Sequence, residues 1–300
     1  MSGEYFVRTA VPNTRRSWPN RSWTGAFLHR LAHHLAACAL VIIVPVYGQA
    51  PAGSAPKAVA KSVAPLVPSG PDVAVLGRIS FKGQAPVFKA IAMDSEPSCA
   101  AKHTGKVFPE TLVVNPNGTL KNVFVYVKTG LEGKTFPPPQ NAATLNQTGC
   151  VYDPHVLGIL VGQDLKIVNS DATTHNVHAL AQTNPEFNVG QRQGAGPIIR
   201  IFDKPETTVP IVCNQHPWMK AVAHVISNPY FGVSGADGSF EIRNLPPGTY
   251  TLEALQEKYG AATQQITVVA GKPATVNFSF SSGQAYVPGS LKTMATVVVP

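Results

Sequence analysis

The sequence predicts an all-β chain built from sandwiches, and three observations carry that prediction. From Val73 onward the apolar residues recur mainly at every second position. Val123, Val125 and Val127 alternate with Asn122, Phe124, Tyr126 and Lys128, and Leu165 and Ile167 alternate with Lys166 and Val168. Val276, Phe278 and Phe280 repeat the pattern with Asn277 and Ser279 between them. Composition is the second observation: 27 prolines, 25 glycines and only 13% charged residues in 300 suit short strands joined by many turns better than a helical bundle. The third is turn chemistry, with Asn117-Gly118 and Asp237-Gly238 standing directly before strand-like stretches.

In chain order, residues 1–50 read as an export signal. Arg15, Arg16, Arg21 and Arg30 form a long basic region, Leu35 to Val46 is an apolar run, and Gly48-Gln49-Ala50 offers small residues for cleavage. The run is short for a bilayer span, so no stable membrane insertion is expected once it is removed. Thr14-Arg15-Arg16 lies too far from the apolar core for a twin-arginine signal, and the core follows Cys38 where a lipoprotein signal needs it before. Residues 51–72, rich in Ala, Pro, Ser and Lys without apolar periodicity, read as a linker. Residues 73–144 hold strands around Gly77 to Pro86 and around Asn122, which either pair with the section after them or complete a C-terminal sandwich. Residues 145–229 and 230–282 are each strand-rich, and the tail 283–300 carries no signal.

The net charge of +8 is concentrated at the N-terminus, because five arginines and one glutamate fall within residues 1–50, leaving +4 for the rest. With no basic run and no aromatic-interleaved basic stripe, nucleic-acid binding is not expected. No Gly-x-Ser-x-Gly, phosphate-cradling glycine loop or paired-carboxylate motif is present, so the chain does not read as an enzyme.

The chemistry is concentrated in Cys213-Asn214-Gln215-His216-Pro217-Trp218-Met219, which packs a thiolate, an imidazole and a thioether into one short loop. These are the donors of copper electron-transfer sites, where two His and one Cys form a trigonal set and a weak Met lies on the axis. The second His is expected from a separate strand, and His175 in Thr174-His175-Asn176-Val177-His178 stands 38 residues before Cys213. His178, three positions on in an extended segment, points to the other face. His103, His155 and His224 form no ligand-spaced cluster. Trp218 is either a docking aromatic or packing beneath the loop. Once the signal is removed three cysteines remain, and committing Cys213 to metal leaves Cys99 and Cys150 as a disulfide pair. A free Cys99, or a Cys150–Cys213 bridge that would destroy the site, are the alternatives.

Cys213-x2-His216-Pro217-x-Met219, together with Pro154-x3-Gly158-x2-Val161-Gly162-Gln163 and His175-Asn176-Val177-His178, resembles the ligand segments of the cupredoxins, particularly the short loop of the amicyanin type, over Gly149 to Asn228. Thr174 stands where such proteins usually have Pro. The resemblance implies a Greek-key β-sandwich with one type 1 copper held by His175, Cys213, His216 and axial Met219. It implies that His216 is the solvent-side ligand and electron port, and that Asn176 ties the two ligand segments together. Asp237-Gly238-Ser239-Phe240-x4-Leu245-Pro246-Pro247-Gly248-Thr249-Tyr250-Thr251-Leu252 resembles the carboxypeptidase regulatory-like, transthyretin-type sandwich, of which only about the last 50 residues, Tyr230 to Ser281, are evident. The combined expectation is a periplasmic or extracellular one-electron carrier that works with a redox partner protein. A β-sandwich module binding carbohydrate or protein, or a copper storage or delivery protein, are the rival readings.

Overall fold

The computed structural model describes residues 74–283. The stretches read as an export signal and a linker, and the tail beyond Gly283, fall outside those residues. Among the described residues no helix is long and apolar enough to cross a membrane.

The described residues run through nineteen strands and a single one-turn helix. The first section holds β1 (Val75–Lys82), α1 (Pro97–Ala100), β2 (Val113–Val114), β3 (Leu120–Lys121) and β4 (Phe124–Thr129). The middle section holds β5 (Ala143–Thr148), β6 (Val151–Asp153), β7 (Val156–Leu160), β8 (Asp164–Asn169), β9 (His175–Ala179), β10 (Phe187–Gln191), β11 (Ile198–Ile201), β12 (Glu206–Val212) and β13 (Lys220–Ile226). The last section holds β14 (Phe231–Val233), β15 (Ser239–Ile242), β16 (Gly248–Gln256), β17 (Gly260–Val268), β18 (Ala274–Thr275) and β19 (Phe278–Ser281).

Apart from the β2–β3 ribbon, strand pairing sorts these into two sandwiches, one inserted in the other. The inner one is built from the middle section alone, with sheets ordered β10-β9-β12-β13-β7 and β11-β8-β5-β6. Leu145, Ile159, Leu165, Ile167, Val177, Val209, Ile211 and Val225 fill the space between them. The outer sandwich joins the two ends of the chain: β1 pairs with β15, β18 and β19, and the other sheet runs β14-β4-β16-β17. Its core draws Ile79, Val123, Val125 and Val127 from the first section and Phe240, Ile242, Leu252, Phe278 and Phe280 from the last. Residues 73–144 are therefore divided. Their strands complete the C-terminal sandwich, while Met93 and Cys99 on the segment between β1 and β2 pack into the inner core. The two insertion points lie side by side, since Val127 N–H donates to the Tyr230 carbonyl (3.0 Å) and Asn228 Nδ2 donates to the Val127 carbonyl (2.9 Å).

Local sequence explains the joints. Gly238 turns the chain into β15 at φ +77°, a left-handed conformation costly for other residues, and a Cβ there would come within 2.3 Å of Thr119. Asp237 supports the turn by accepting from the backbone N–H and the hydroxyl of Ser239. β4 departs from simple alternation, because both of its faces are buried. Val123, Val125 and Val127 face the outer core, while Phe124 and Tyr126 meet Val156 and Ile226 of the inner sandwich. A fully buried apolar side chain contributes about 1.5–3 kcal/mol, so this cluster ties the two sandwiches together.

His224 sits at that junction, fully enclosed, with its ring stacked on Phe124 at 4.3 Å. The β12–β13 ladder shifts register between Glu206 and Val209, which frees the Thr207 carbonyl to accept from His224 Nδ1. Burial pushes the His224 pKa down to about 4, against smaller opposing effects of the Thr207 hydrogen bond and Glu257. In the folded chain His224 therefore stays neutral between its unfolded value of 6.5 and about 4, while the unfolded chain takes up the proton. This contribution to stability is present above pH 6.5 and is lost as pH falls to about 4, for a total of about 3 kcal/mol. Urea denaturation at pH 7 and pH 4 should show the wild-type chain losing about that much more than His224→Gln, whose amide can still donate to Thr207. Equal losses in the two proteins would exclude His224 as the source.

Candidate metal centre

The site lies at one end of the inner sandwich, where β9 begins and the β12–β13 loop returns. β9 and β12 are antiparallel neighbours with Val212 opposite His178, so the chain leaving β12 at Cys213 runs back beside Val177, Asn176 and His175. Two backbone hydrogen bonds fold the loop, from Met219 N–H to the His216 carbonyl (2.9 Å) and from Cys213 N–H to the Met219 carbonyl (3.2 Å). Asn176 locks this loop to β9. Its Oδ1 accepts from Asn214 N–H at 2.8 Å and from Cys213 Sγ at 3.3 Å, and its Nδ2 donates to Asn214 Oδ1 at 2.8 Å.

These constraints bring His175, Cys213 and His216 together. One ring nitrogen of each histidine and the cysteine sulfur lie within 4.8 Å of one another. Nδ1 of His175 is 2.9 Å from Nδ1 of His216, which is 3.6 Å from Cys213 Sγ. All three residues are buried, Cys213 is the free cysteine among the described residues, and Met219 is fully buried in the same core. Burial pulls the His175 pKa below its ordinary value, opposed by its hydrogen bond to Asp171, so the ring is held in the neutral form that can donate a lone pair. A thiol and two imidazole nitrogens converging on one enclosed point are a soft and borderline donor set, which fits copper better than the oxygen-rich sites of magnesium or calcium.

Behind the donors lies a shell of fixed contacts. His175 Nε2 is 3.0 Å from Asp171 Oδ2. The Tyr152 hydroxyl donates to the Asn176 carbonyl, and burial, with a smaller effect of Cys213, raises the Tyr152 pKa. Trp218 packs its ring 5.2 Å from that of His216 and donates Nε1–H to the Cys150 carbonyl at 3.0 Å, so it is tied down beneath the loop. Cys150 is bridged to Cys99. The other histidines among the described residues have other partners: His178 Nε2 meets Glu186 at 2.6 Å, His155 meets the Lys220 carbonyl and Glu257, and His103 meets the Gly149 carbonyl.

Two features depart from the sequence reading. His216, expected at the surface, is only 4% exposed. The segment from Ile91 to Val107 closes on itself through the Ile91 N–H to Val107 carbonyl bond, and the Cys99–Cys150 disulfide pins it against this end of the sandwich. It also carries Glu96, whose carboxylate is 3.9 Å from His216 Nε2. The second feature is Asp171, which spacing did not single out. Its only sequence cue is a carboxylate four residues before a ligand histidine on a short loop, a pattern too common to distinguish.

Residues 227–281 match the family model of the carboxypeptidase regulatory-like domain. No curated protein matches the chain. Among solved structures, a copper-containing nitrite reductase from Thermus scotoductus is 25% identical, with 32% of this chain and 24% of that one covered and a TM-score of 0.26. The chain thus spans about a quarter of that reductase's length. A purple cupredoxin from Nitrosopumilus maritimus is 21% identical over 28% of this chain and 98% of its own, with a TM-score of 0.24. A reduced proline-to-phenylalanine variant of amicyanin is 20% identical over 34% of this chain and 97% of its own, with a TM-score of 0.26. Residues 227–281 thus resemble the carboxypeptidase regulatory-like domain, in a chain about a third of which is similar to cupredoxin structures.

Proposed function

We propose that this chain is an exported type 1 copper protein that takes one copper ion and passes single electrons between partner proteins. The observation that carries the reading is the convergence of His175 Nδ1, His216 Nδ1 and Cys213 Sγ in a buried pocket fixed by both ligand segments. His175, Cys213 and His216 would hold the metal, and the buried Met219 would supply a weak thioether donor that biases the couple toward the reduced ion. Copper bound there supplies Cu(II)/Cu(I) cycling. The protein's part is to keep water out and to hold the donors in one arrangement through both oxidation states. Asn176, by gripping Asn214 and Cys213 at once, does much of that holding. His175, Cys213, His216 and Met219 would offer a metal four protein donors, which favours electron transfer over chemistry on a bound molecule. The export assignment rests on the basic and apolar stretches of residues 1–50 and on the disulfide.

Titrating the purified full chain with Cu(II), followed by visible and electron paramagnetic resonance spectra, tests the proposal. The expected result is saturation at one equivalent with an intense thiolate-to-copper band. Binding without such a band would overturn it.

A further inference from the structure

We propose that Asp171 is a positioning residue that fixes the tautomer of His175 and holds that ring and the disulfide anchor in a single frame. This rests on the copper reading above, since it concerns how one of the ligands is prepared. The carboxylate is 4% exposed and its hydrogen bonds are shared between two structural elements. Oδ1 accepts from Gly149 N–H and Oδ2 from Cys150 N–H, both at 2.7 Å, and Oδ2 also lies 3.0 Å from His175 Nε2. The Asp171 N–H donates to Asn169 Oδ1 at 3.0 Å, which sets the orientation of the loop that carries it.

Both Asp171 oxygens already accept from backbone N–H groups, so the carboxylate faces His175 as an acceptor and the ring hydrogen sits on Nε2, leaving Nδ1 as a lone pair aimed at the donor cluster. The contact between the two Nδ1 atoms then has one solution. His175 Nδ1 accepts, and His216 Nδ1 carries the hydrogen between them at 2.9 Å. His175 thereby presents its Nδ1 lone pair to the cluster, held in place by Asp171. The outer nitrogen of His216 faces the Glu96 carboxylate at 3.9 Å, beyond hydrogen-bond reach. A carboxylate bonded to the outer nitrogen of a ligand imidazole also strengthens that imidazole as a donor, which favours the more highly charged metal state. Asp171 thus sets both the geometry and the charge balance of the His175 side of the site.

The test begins with nitrogen-15 NMR of the copper-free wild-type chain, where His175 should appear as the Nε2–H tautomer and His216 as the Nδ1–H tautomer. A His175 Nδ1–H tautomer there overturns the proposal, whatever the chain does with copper. In Asp171→Asn, the His175 signal should become a mixture, Cu(II) affinity should fall about 10–100-fold, and the reduction potential of the loaded protein should rise. A variant that loses thermal stability but keeps the wild-type tautomer and potential would show a purely structural residue and overturn the proposal. If the wild-type chain takes no copper, the type 1 reading falls, and the tautomer measurement still decides the role of Asp171.

Discussion

Replacing Cys213 by serine is expected to remove the intense visible absorption of the copper-loaded chain entirely. That absorption belongs to charge transfer from a thiolate to copper, and serine offers a harder oxygen that stays protonated at neutral pH. The substitution is mild for the fold. A serine hydroxyl fills nearly the same volume, and Asn176 Oδ1, 3.3 Å from Cys213 Sγ, is in place to accept from it. Far-ultraviolet circular dichroism should therefore be unchanged while Cu(II) affinity falls and the resonance spectrum loses its thiolate character. A Cys213→Ser chain as strongly coloured as wild type would rule out this cysteine as a ligand and with it the whole donor set.

Removing the disulfide should give the largest loss of stability of any single contact described above. Cys99 and Cys150 are 51 residues apart, and closing a loop of that length restricts the unfolded chain by about 4 kcal/mol. The bond also anchors the segment that brings Glu96 to 3.9 Å from His216 Nε2. In Cys99→Ser/Cys150→Ser the urea midpoint should fall accordingly, and His216 should become accessible to an imidazole-modifying reagent that does not reach it in the oxidised chain. The hydrogen bonds of Asp171 to Gly149 and Cys150 N–H do not involve sulfur, so the His175 side should keep its geometry. A double variant with wild-type stability and an unreactive His216 would show that the segment is held by packing of Ile91, Met93 and Val107 alone.

The cluster of His175, Cys213 and His216 was legible in the sequence because each is a chemically rare type at a distinctive place: Cys213 and His216 three residues apart on a short loop, and His175 at the start of a strand. Asn176 was legible as a tie because it adjoins a ligand and has both a donor and an acceptor to spend. The all-β class was equally plain in the alternation of β4, β8 and β19, although β4 proved to be buried on both faces. What could not be read was long-range assembly. Nothing in Val75 to Lys82 says that its partners are Ser239 to Ile242 and Phe278 to Ser281, because period-two alternation specifies a face and not a neighbour. The concealment of His216 was hidden for the same reason. It depends on where the segment from Ile91 to Val107 is laid, and that is decided by a covalent bond to Cys150.

The nesting of one sandwich within the other also imposes a timetable on the nascent chain. Strands β5 to β13 find every ladder partner within residues 143–226, so the inner unit can close as soon as that stretch has been made. β1 cannot: Val75 waits for Ile242, and Phe81 waits for Phe280. Pairings that span so much chain form slowly, and unpaired strands are exposed to association with other chains while they wait. A finished inner unit shortens that wait, because it delivers Tyr230 beside Val127 and so presents β14 to β4 as near neighbours. Any lesion that delays closure of the inner sandwich should therefore be felt first as misassembly of the outer one, at strands that lie far from the lesion itself.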